Sequence, residues 1–330
     1  AAAMIERGEA DVVIAGGGDS TSNMELKLPQ KVVHTFAPVA LGKKIGLFGW
    51  FKLLAKLFPP WSVLPGRPKI AERSTGEVMG EAAEKMGKAF GIGRQSMDEF
   101  AVRSHHRAAA AWEAGILADE VVAVQTDQKC VAKDGMIRAD TSREKLARLR
   151  PVFAADGELT AGNSSPLTDG AGAVILMSEE KAKELGVRAL ARLRSWAYIG
   201  VDPADQLLIG PALAMPKALE RAGLELSDMD LVDIHEAFAA QVLSVLKAME
   251  DPTFCAERLG RDTPFDPVPL SKLNIHGGSL ALGHPFAATG ARMVTSMARA
   301  LQEGDRKYAL LGICAAGGLG AAAVLERIDR

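Results

Sequence analysis

Three segments in the C-terminal third carry side chains suited to acid–base and acyl-transfer chemistry. The first, Asp233-Ile234-His235-Glu236-Ala237-Phe238-Ala239-Ala240-Gln241, puts a histidine where an apolar strand gives way to a helix. The second runs from Asn274-Ile275-His276-Gly277-Gly278 to Gly283-His284-Pro285, then through Ala287-Ala288-Thr289-Gly290-Ala291-Arg292. The third, Cys314-Ala315-Ala316-Gly317-Gly318-Leu319-Gly320, sets a cysteine at the mouth of a glycine turn. Taken singly, each has a plainer reading. A histidine at a strand end is more often structural, a cysteine beside glycines is a small core residue, and a glycine turn can serve close backbone packing. Together they place two imidazoles and a thiol at turns that free side chains and expose backbone N–H groups. Acyl transfer through thiol and oxyanion chemistry needs that combination.

The elements that must position these groups alternate along the chain. Residues 1–8 read as the tail of a helix ending at Gly8, followed by a strand at 11–15 that stops at Gly16-Gly17-Gly18. From about 23 to 160, basic helices, proline-rich loops and a polar stretch around 125–142 look like an insertion, with helices at 77–90, 95–114 and 142–149. Regular alternation resumes with a strand at 171–177 and a helix at 178–185, begun by Ser178 with acidic residues in its first turn. A strand at 189–199, a helix at 211–222, a strand at 231–234 and a helix from 236 to 249 follow. A helix at 287–302 then precedes a hairpin of 307–314 and 319–327. Strands alternating with helices predict an α/β protein. ADVVIAGGGDS near the start and YALLGICAAGGLG near the end both run an apolar strand into glycines, which hints at two similar halves.

Composition narrows the function classes. The 330 residues suffice for about two domains. A net charge of −2 gives no support to nucleic-acid binding, so an anion must be held by a local site. Cys130, Cys255 and Cys314 are odd in number and far apart, with no CxxC pair, so neither a disulfide framework nor a metal site is predicted. A reducing, cytoplasmic compartment fits, and no signal peptide or membrane-spanning apolar run is apparent.

HEAFAAQ, GGSLALGHPFAATGAR and CAAGGLG resemble, in order and spacing, the three C-terminal motifs of the thiolase family. The likeness extends through Thr160-Ala161-Gly162-Asn163-Ser164-Ser165-Pro166-Leu167-Thr168-Asp169-Gly170-Ala171, similar to the family's pantetheine loop, and takes in DVVIAGGGDS. HEAF, together with FAPVALGKK at 36–44, looks like the branch containing the β-subunit of the fatty-acid oxidation (trifunctional) complex. The resemblance implies a layered αβαβα thiolase fold with two similar halves, the N-terminal one incomplete. Residues 1–22 and 169–186 would belong to that half, 23–168 to an inserted loop and CoA-binding domain, and 187–330 to the C-terminal half.

It also implies a 3-ketoacyl-CoA thiolase (acetyl-CoA C-acyltransferase) of fatty-acid β-oxidation, with CoA as co-substrate and no resident cofactor or metal. His284 matches the histidine that takes the proton of a nucleophilic thiol, since the thiolate is the nucleophile. Cys314 matches the second acid/base, and His235 the residue that, through a water, stabilises negative charge on the thioester oxygen. The backbone N–H near Ala316 matches part of a second oxyanion hole. Ala161 and Ser165 match contacts to the pantetheine arm. Met79 matches a channel residue, with helix core as its plainer reading. Arg138 matches a residue near the CoA nucleotide, with a solvated loop charge as its alternative.

Two departures stand out. Ala316 occupies a position that is usually glycine in the family. The family's nucleophilic cysteine is expected roughly ten residues before Ala1, so the sequence as given is expected not to turn over, and a catalytically silent acyl-CoA-binding or scaffold subunit is the rival reading. A condensing ketoacyl synthase is disfavoured by Cys314. The expected partners are acyl-CoA and CoA, and a second copy in a homodimer.

Residues 43–58 (KKIGLFGWFKLLAKLF) set Leu47, Trp50, Phe51, Leu54 and Phe58 at helical spacing, with Lys52 and Lys56 on another face. The plain reading is core. The functional one is a basic amphipathic helix meeting a membrane surface or a β-oxidation α-subunit. His105-His106 lacks further ligands and reads as solvated surface.

Overall fold

The apolar run Tyr308–Ala315 becomes β7, an inner strand of a four-stranded sheet, in a computed structural model that describes residues 1–25, 27–65 and 70–328. The sheet has the order β5 (Ala191–Gly200), β8 (Leu319–Arg327), β7, β6 (Leu231–Ile234). β6 runs parallel to β7, and the other neighbours are antiparallel. Along β7 the side chains alternate in the period-2 manner of a strand covered on both faces. Leu310 and Cys314 join one core cluster, while Ala309 and Leu311 join another.

Helix α9 (Gly210–Ala222) covers the first face with Ala212, Met215, Ala218 and Leu219, and helix α13 (Thr289–Ala300) covers the second with Met293 and Met297. Beyond α13 lies a two-stranded antiparallel sheet of β1 (Val12–Asp19) and β4 (Gly170–Met177). Helix, sheet, helix, sheet is the stacking expected of the predicted layered fold. The short helix α1 (Ala2–Glu6) precedes β1, and α7 (Glu179–Leu185) follows β4 with Ser178 as its N-cap, as its sequence predicts.

Contrary to expectation, β1 does not stop at the glycine triplet but runs through it, with Gly17 opposite Gly172. The reason is close approach. A Cβ on Gly17 would lie 2.7 Å from Ala287, and one on Gly172 would lie 2.9 Å from the Ala288 carbonyl oxygen. The glycines let the turn leading into α13 sit directly on the sheet.

Within the inserted region, α4 (Met79–Ala89) and α5 (Arg94–Glu113) pack against α10 (Ala239–Glu250), and α6 (Arg143–Ala147) and the small β2–β3 hairpin (Val124–Gln125 and Cys130–Val131) follow. Two compact units result: residues Ala1–Ser20 with Ala71–Arg330, and Thr21–Ile70. The stretch that separates is therefore 21–70, and 71–168 packs with the rest, because the apolar faces of α4 and α5 are buried against α10. His105 corrects another expectation. It lies on the inward face of α5, buried, accepting the Arg138 amide at Nδ1, and burial pushes it down to about 4.

The unit Thr21–Ile70 holds helices α2 (Gln30–Ala40) and α3 (Leu47–Ala55), the latter shorter than the 43–58 pattern. Among the described residues its buried side chains are Val32 of α2 and Leu53 of α3. Leu47, Phe48, Phe51, Leu54 and Phe58 are all exposed, against the core reading. Among the described residues no helix is long and apolar enough to cross a membrane.

Candidate active site

His235 and His284 meet at the C-terminal end of β6. Their ring centroids are 4.2 Å apart with planes tilted by 46°. His235 follows the last residue of β6, and its amide donates to the Gly312 carbonyl of β7 at 2.8 Å. Asn274, at φ 46°, braces this strand end: its Oδ1 accepts from the Ile234 amide and its Nδ2 donates to the Ile234 carbonyl and to Glu236. Glu236, fully buried, also accepts from Ser104 Oγ and the Leu280 amide, and burial raises its carboxyl above the usual range. The predicted helix start at 236 is displaced to Ala239, because Phe238 first bridges to Ser164.

Each imidazole is anchored at Nδ1 by a hydroxyl. Ser279, in the one-turn helix α12 (Ser279–Leu282), meets His235 Nδ1 at 3.0 Å, and Thr289 meets His284 Nδ1 at 2.7 Å. Arg292 Nη2 donates to Ser279 Oγ at 3.0 Å, and its Nη1 lies 3.8 Å from Asp233. His235 Nε2 is buried without a hydrogen-bond partner among the described residues. Gly283 turns at φ 92°, so close to Thr168 that a Cβ would clash with its hydroxyl, which accepts the His284 amide.

Burial sets the protonation states. It drives His235 well below the ordinary histidine value, helped by His284 and Arg292, and it pushes His284 down to about 4, with Arg292 acting in the same sense. Both rings are neutral at pH 7 and each therefore keeps one acceptor nitrogen and one N–H. Burial pushes the Cys314 thiol up to about 12. At neutral pH it is a proton donor, not a thiolate nucleophile. Asp233, with neither oxygen hydrogen-bonded among the described residues, is pushed up to about 7 by burial.

Cys314 lies two residues beyond Gly312 on the same strand face, so the third motif arrives beside the first. The turn Ala316–Gly318 joins β7 to β8, with Gly317 and Gly318 at positive φ, and Glu72 accepts the Gly317 amide at 2.9 Å. Ala316 is exposed there. The loop 160–168 is joined to both histidine segments: the Ser165 amide donates to Ala237, the Ala239 amide donates to Asn163, and Leu167 bridges to His284. Ser165 is half-buried and Ala161 exposed. Met79, first residue of α4, is half-buried against the core, and its neighbour Gly80 lies against Phe153, which packs edge-on to Phe238. Arg138 is exposed, and no hydrogen bond or ion pair ties its guanidinium to the histidine cluster.

Ser279, Thr289, Thr168, Asp233 and Arg292 were not distinguished as site residues by the sequence. All lie within or beside the recognised segments, but no spacing rule says which hydroxyl reaches which ring. Among the described residues no group of three or more His, Cys, Asp or Glu side chains is placed to hold a metal.

Comparison with known proteins gives the family. The model of the thiolase N-terminal domain matches residues 1–180, and that of the thiolase C-terminal domain matches 187–327. A 3-ketoacyl-CoA thiolase of Yersinia enterocolitica is 45% identical over 326 residues, 97% of this chain and 73% of the relative. The structure of human mitochondrial 3-ketoacyl-CoA thiolase superposes with a TM-score of 0.78 at 32% identity, over 99% of this chain and 74% of that one. The Bacillus anthracis acetyl-CoA acetyltransferase gives a TM-score of 0.77 at 34% identity, over 98% and 74%. The chain belongs to the thiolase family.

Proposed function

We propose that the protein is a 3-ketoacyl-CoA thiolase of fatty-acid β-oxidation, an acyltransferase that cleaves 3-ketoacyl-CoA with CoA to give acetyl-CoA and a shortened acyl-CoA. The observation that carries this reading is the pair of neutral imidazoles, His235 buried and His284 half-buried, each fixed at Nδ1 by a hydroxyl, at a strand end adjoining a protonated thiol.

In this reading a thiolate attacks the ketone carbon, the Cα–Cβ bond breaks and acetyl-CoA leaves as its enolate. His284 takes the proton of the attacking thiol. Its low basicity rises as negative charge develops beside it. Cys314 protonates the enolate, then removes the proton of the incoming CoA thiol, which attacks the thioester. His235 donates from Nε2, through a water, to the thioester oxygen, and the Ala316 N–H serves the acylated intermediate. Ser165 and Ala161 contact the pantetheine arm, Met79 lines its channel, and Arg138 meets the nucleotide. The placement of 160–168 between the two histidine segments supports the pantetheine assignment, and the exposure of Arg138 fits a group held ready for a phosphate. CoA is a co-substrate, and no bound cofactor takes part.

The test is thiolysis of a medium-chain 3-ketoacyl-CoA with free CoA, run on this chain and on a form extended upstream. Release of acetyl-CoA supports the reading. Binding of CoA without release by either form would instead favour a silent acyl-CoA-binding subunit.

The reading extends to a cytoplasmic homodimer whose unit Thr21–Ile70 meets an anionic membrane surface. Exposed Leu47, Phe48, Phe51 and Phe58 supply the apolar contact and Lys52 and Lys56 the charge. Co-sedimentation with anionic but not neutral vesicles is expected, and its loss in Phe48→Ser/Phe51→Ser assigns it to this helix. Failure on vesicles with capture of a purified β-oxidation α-subunit would replace the membrane by that partner.

A further inference from the structure

The hydroxyl of Ser279 sits between a permanent donor and an imidazole, and hydrogen-bond bookkeeping decides which way its proton points. Arg292 has no acceptor atoms, so in the 3.0 Å contact Ser279 Oγ must accept from Nη2. Ser279 is fully buried, so its own proton cannot go to solvent, and the other group within reach is His235 Nδ1, at 3.0 Å. If Nδ1 carried a proton instead, the hydroxyl proton would be left buried and unpaired, which costs free energy. His235 Nε2 has no partner among the described residues in either tautomer, so Ser279 decides between them.

We propose that Ser279 is a positioning residue that sets the tautomer of His235, giving its proton to Nδ1 and so keeping the single N–H of the imidazole on Nε2. Arg292, 3.8 Å from Asp233, fixes the direction of the relay, because a cation that can only donate makes Ser279 an acceptor on one side and a donor on the other. The consequence for chemistry rests on the thiolase reading: only the Nε2–H tautomer offers a donor to a developing oxyanion, directly or through a water. The opposite tautomer would present a lone pair and repel it.

The test is ¹⁵N NMR of the full chain labelled at histidine, with the His235 signals assigned by their loss in His235→Asn. At neutral pH His235 is expected to show an unprotonated Nδ1 and a protonated Nε2. Ser279→Ala should move a substantial share of the population to the Nδ1–H form. Should that variant fail to fold, Ser279→Cys, whose thiol is a weaker donor, should give a partial shift. In thiolysis Ser279→Ala is expected to lower kcat by about 10²-fold, the scale of a lost oxyanion donor, with KM little changed. A purely structural role would leave the tautomer unaltered. A proton on Nδ1 in the unmodified protein, or an unchanged tautomer in a folded Ser279 variant, overturns the proposal. The NMR readout does not depend on turnover. With the expected tautomer, failure of both this chain and a form extended upstream to turn over overturns the thiolase reading alone, and an active protein with an indifferent Ser279→Ala overturns this inference alone.

Discussion

His235 and His284 stack at 4.2 Å without hydrogen-bonding to each other, because each spends its Nδ1 on a hydroxyl of its own, Ser279 for one and Thr289 for the other. The arrangement leaves both Nε2 atoms uncommitted to protein partners among the described residues and keeps two rings neutral in contact. Two imidazolium rings at that distance would repel strongly in a buried setting.

The two rings should therefore fail differently when removed. His235→Ala is expected to lower kcat by about 10²–10³-fold with a small change in KM, as for loss of one oxyanion donor. In the proposed mechanism His284→Ala removes the proton acceptor for the attacking thiol, and it should lower kcat at least as far. Steady-state thiolysis checks both. Equal, mild effects on kcat would count against the assigned roles.

Asp233 gives a pH signature in stability. Its carboxyl is pushed up to about 7 by burial, against an ordinary value of 3.8. Between those pH values the folded chain holds a proton that the unfolded chain has released. The stabilising contribution is thus complete below about pH 4 and is lost as pH rises through 7. Asp233→Asn cannot titrate, so its stability relative to the parent should improve by up to about 4 kcal/mol from pH 4 to pH 8. Urea denaturation at several pH values measures this. The buried histidines act in the opposite sense, since a chain that must keep His105 and His284 neutral gains stability as pH rises from about 4 to 6.5. They are common to both proteins and cancel in the difference.

Gly17→Ala should be costly for its size. The new methyl would lie 2.7 Å from Ala287, three residues after His284. Overpacking of this kind typically costs about 1–3 kcal/mol, and the displaced turn should lower thiolysis as well. Gly200→Ala, with open space around its Cβ, is the control and should leave both unchanged. Thermal melting and activity of the two variants decide the matter.

The three cysteines should alkylate in a fixed order. Cys130 is exposed, whereas Cys255 and Cys314 are buried, and burial raises both of those thiols, Cys314 to about 12. Brief iodoacetamide treatment of the native protein is expected to label Cys130, with the others reacting on unfolding. Native labelling of Cys314 before Cys130 would contradict the proton-donor role.

Much of this was legible in the sequence, for identifiable reasons. Ser178 followed by Glu179 and Glu180 announced the start of α7, and the apolar run 308–315 announced the inner strand, since capping and strand periodicity are local signals. The three motifs announced His235, His284 and Cys314 because each lies at a turn that only glycine or a strand end permits. What stayed hidden depends on contacts between distant segments. Nothing local says that Gly16–Gly18 continue a strand, because the reason is the paired strand and Ala287 lying on Gly17. Nor does it say that His105 faces inward or that Phe238 delays its helix, since both follow from partners more than thirty residues away. The exposed face of α3 showed its amphipathic spacing in the sequence, but spacing cannot say whether a face is covered.

The loop 160–168 is tied to the histidine segments chiefly through main-chain atoms: the amides of Ser165 and Ala239 and the carbonyls of Ala237 and Asn163. Main-chain bonds survive exchange of the side chains that hang from them. The half of the pocket that would grip a substrate's arm can thus be re-tailored at Ala161 or Ser165 while the proton-handling half keeps its alignment. Under the proposed roles, specificity and chemistry would be mechanically joined here yet separately editable, with this loop the place to change which acyl-CoA is accepted and the Ser279–Arg292 relay the place to leave alone.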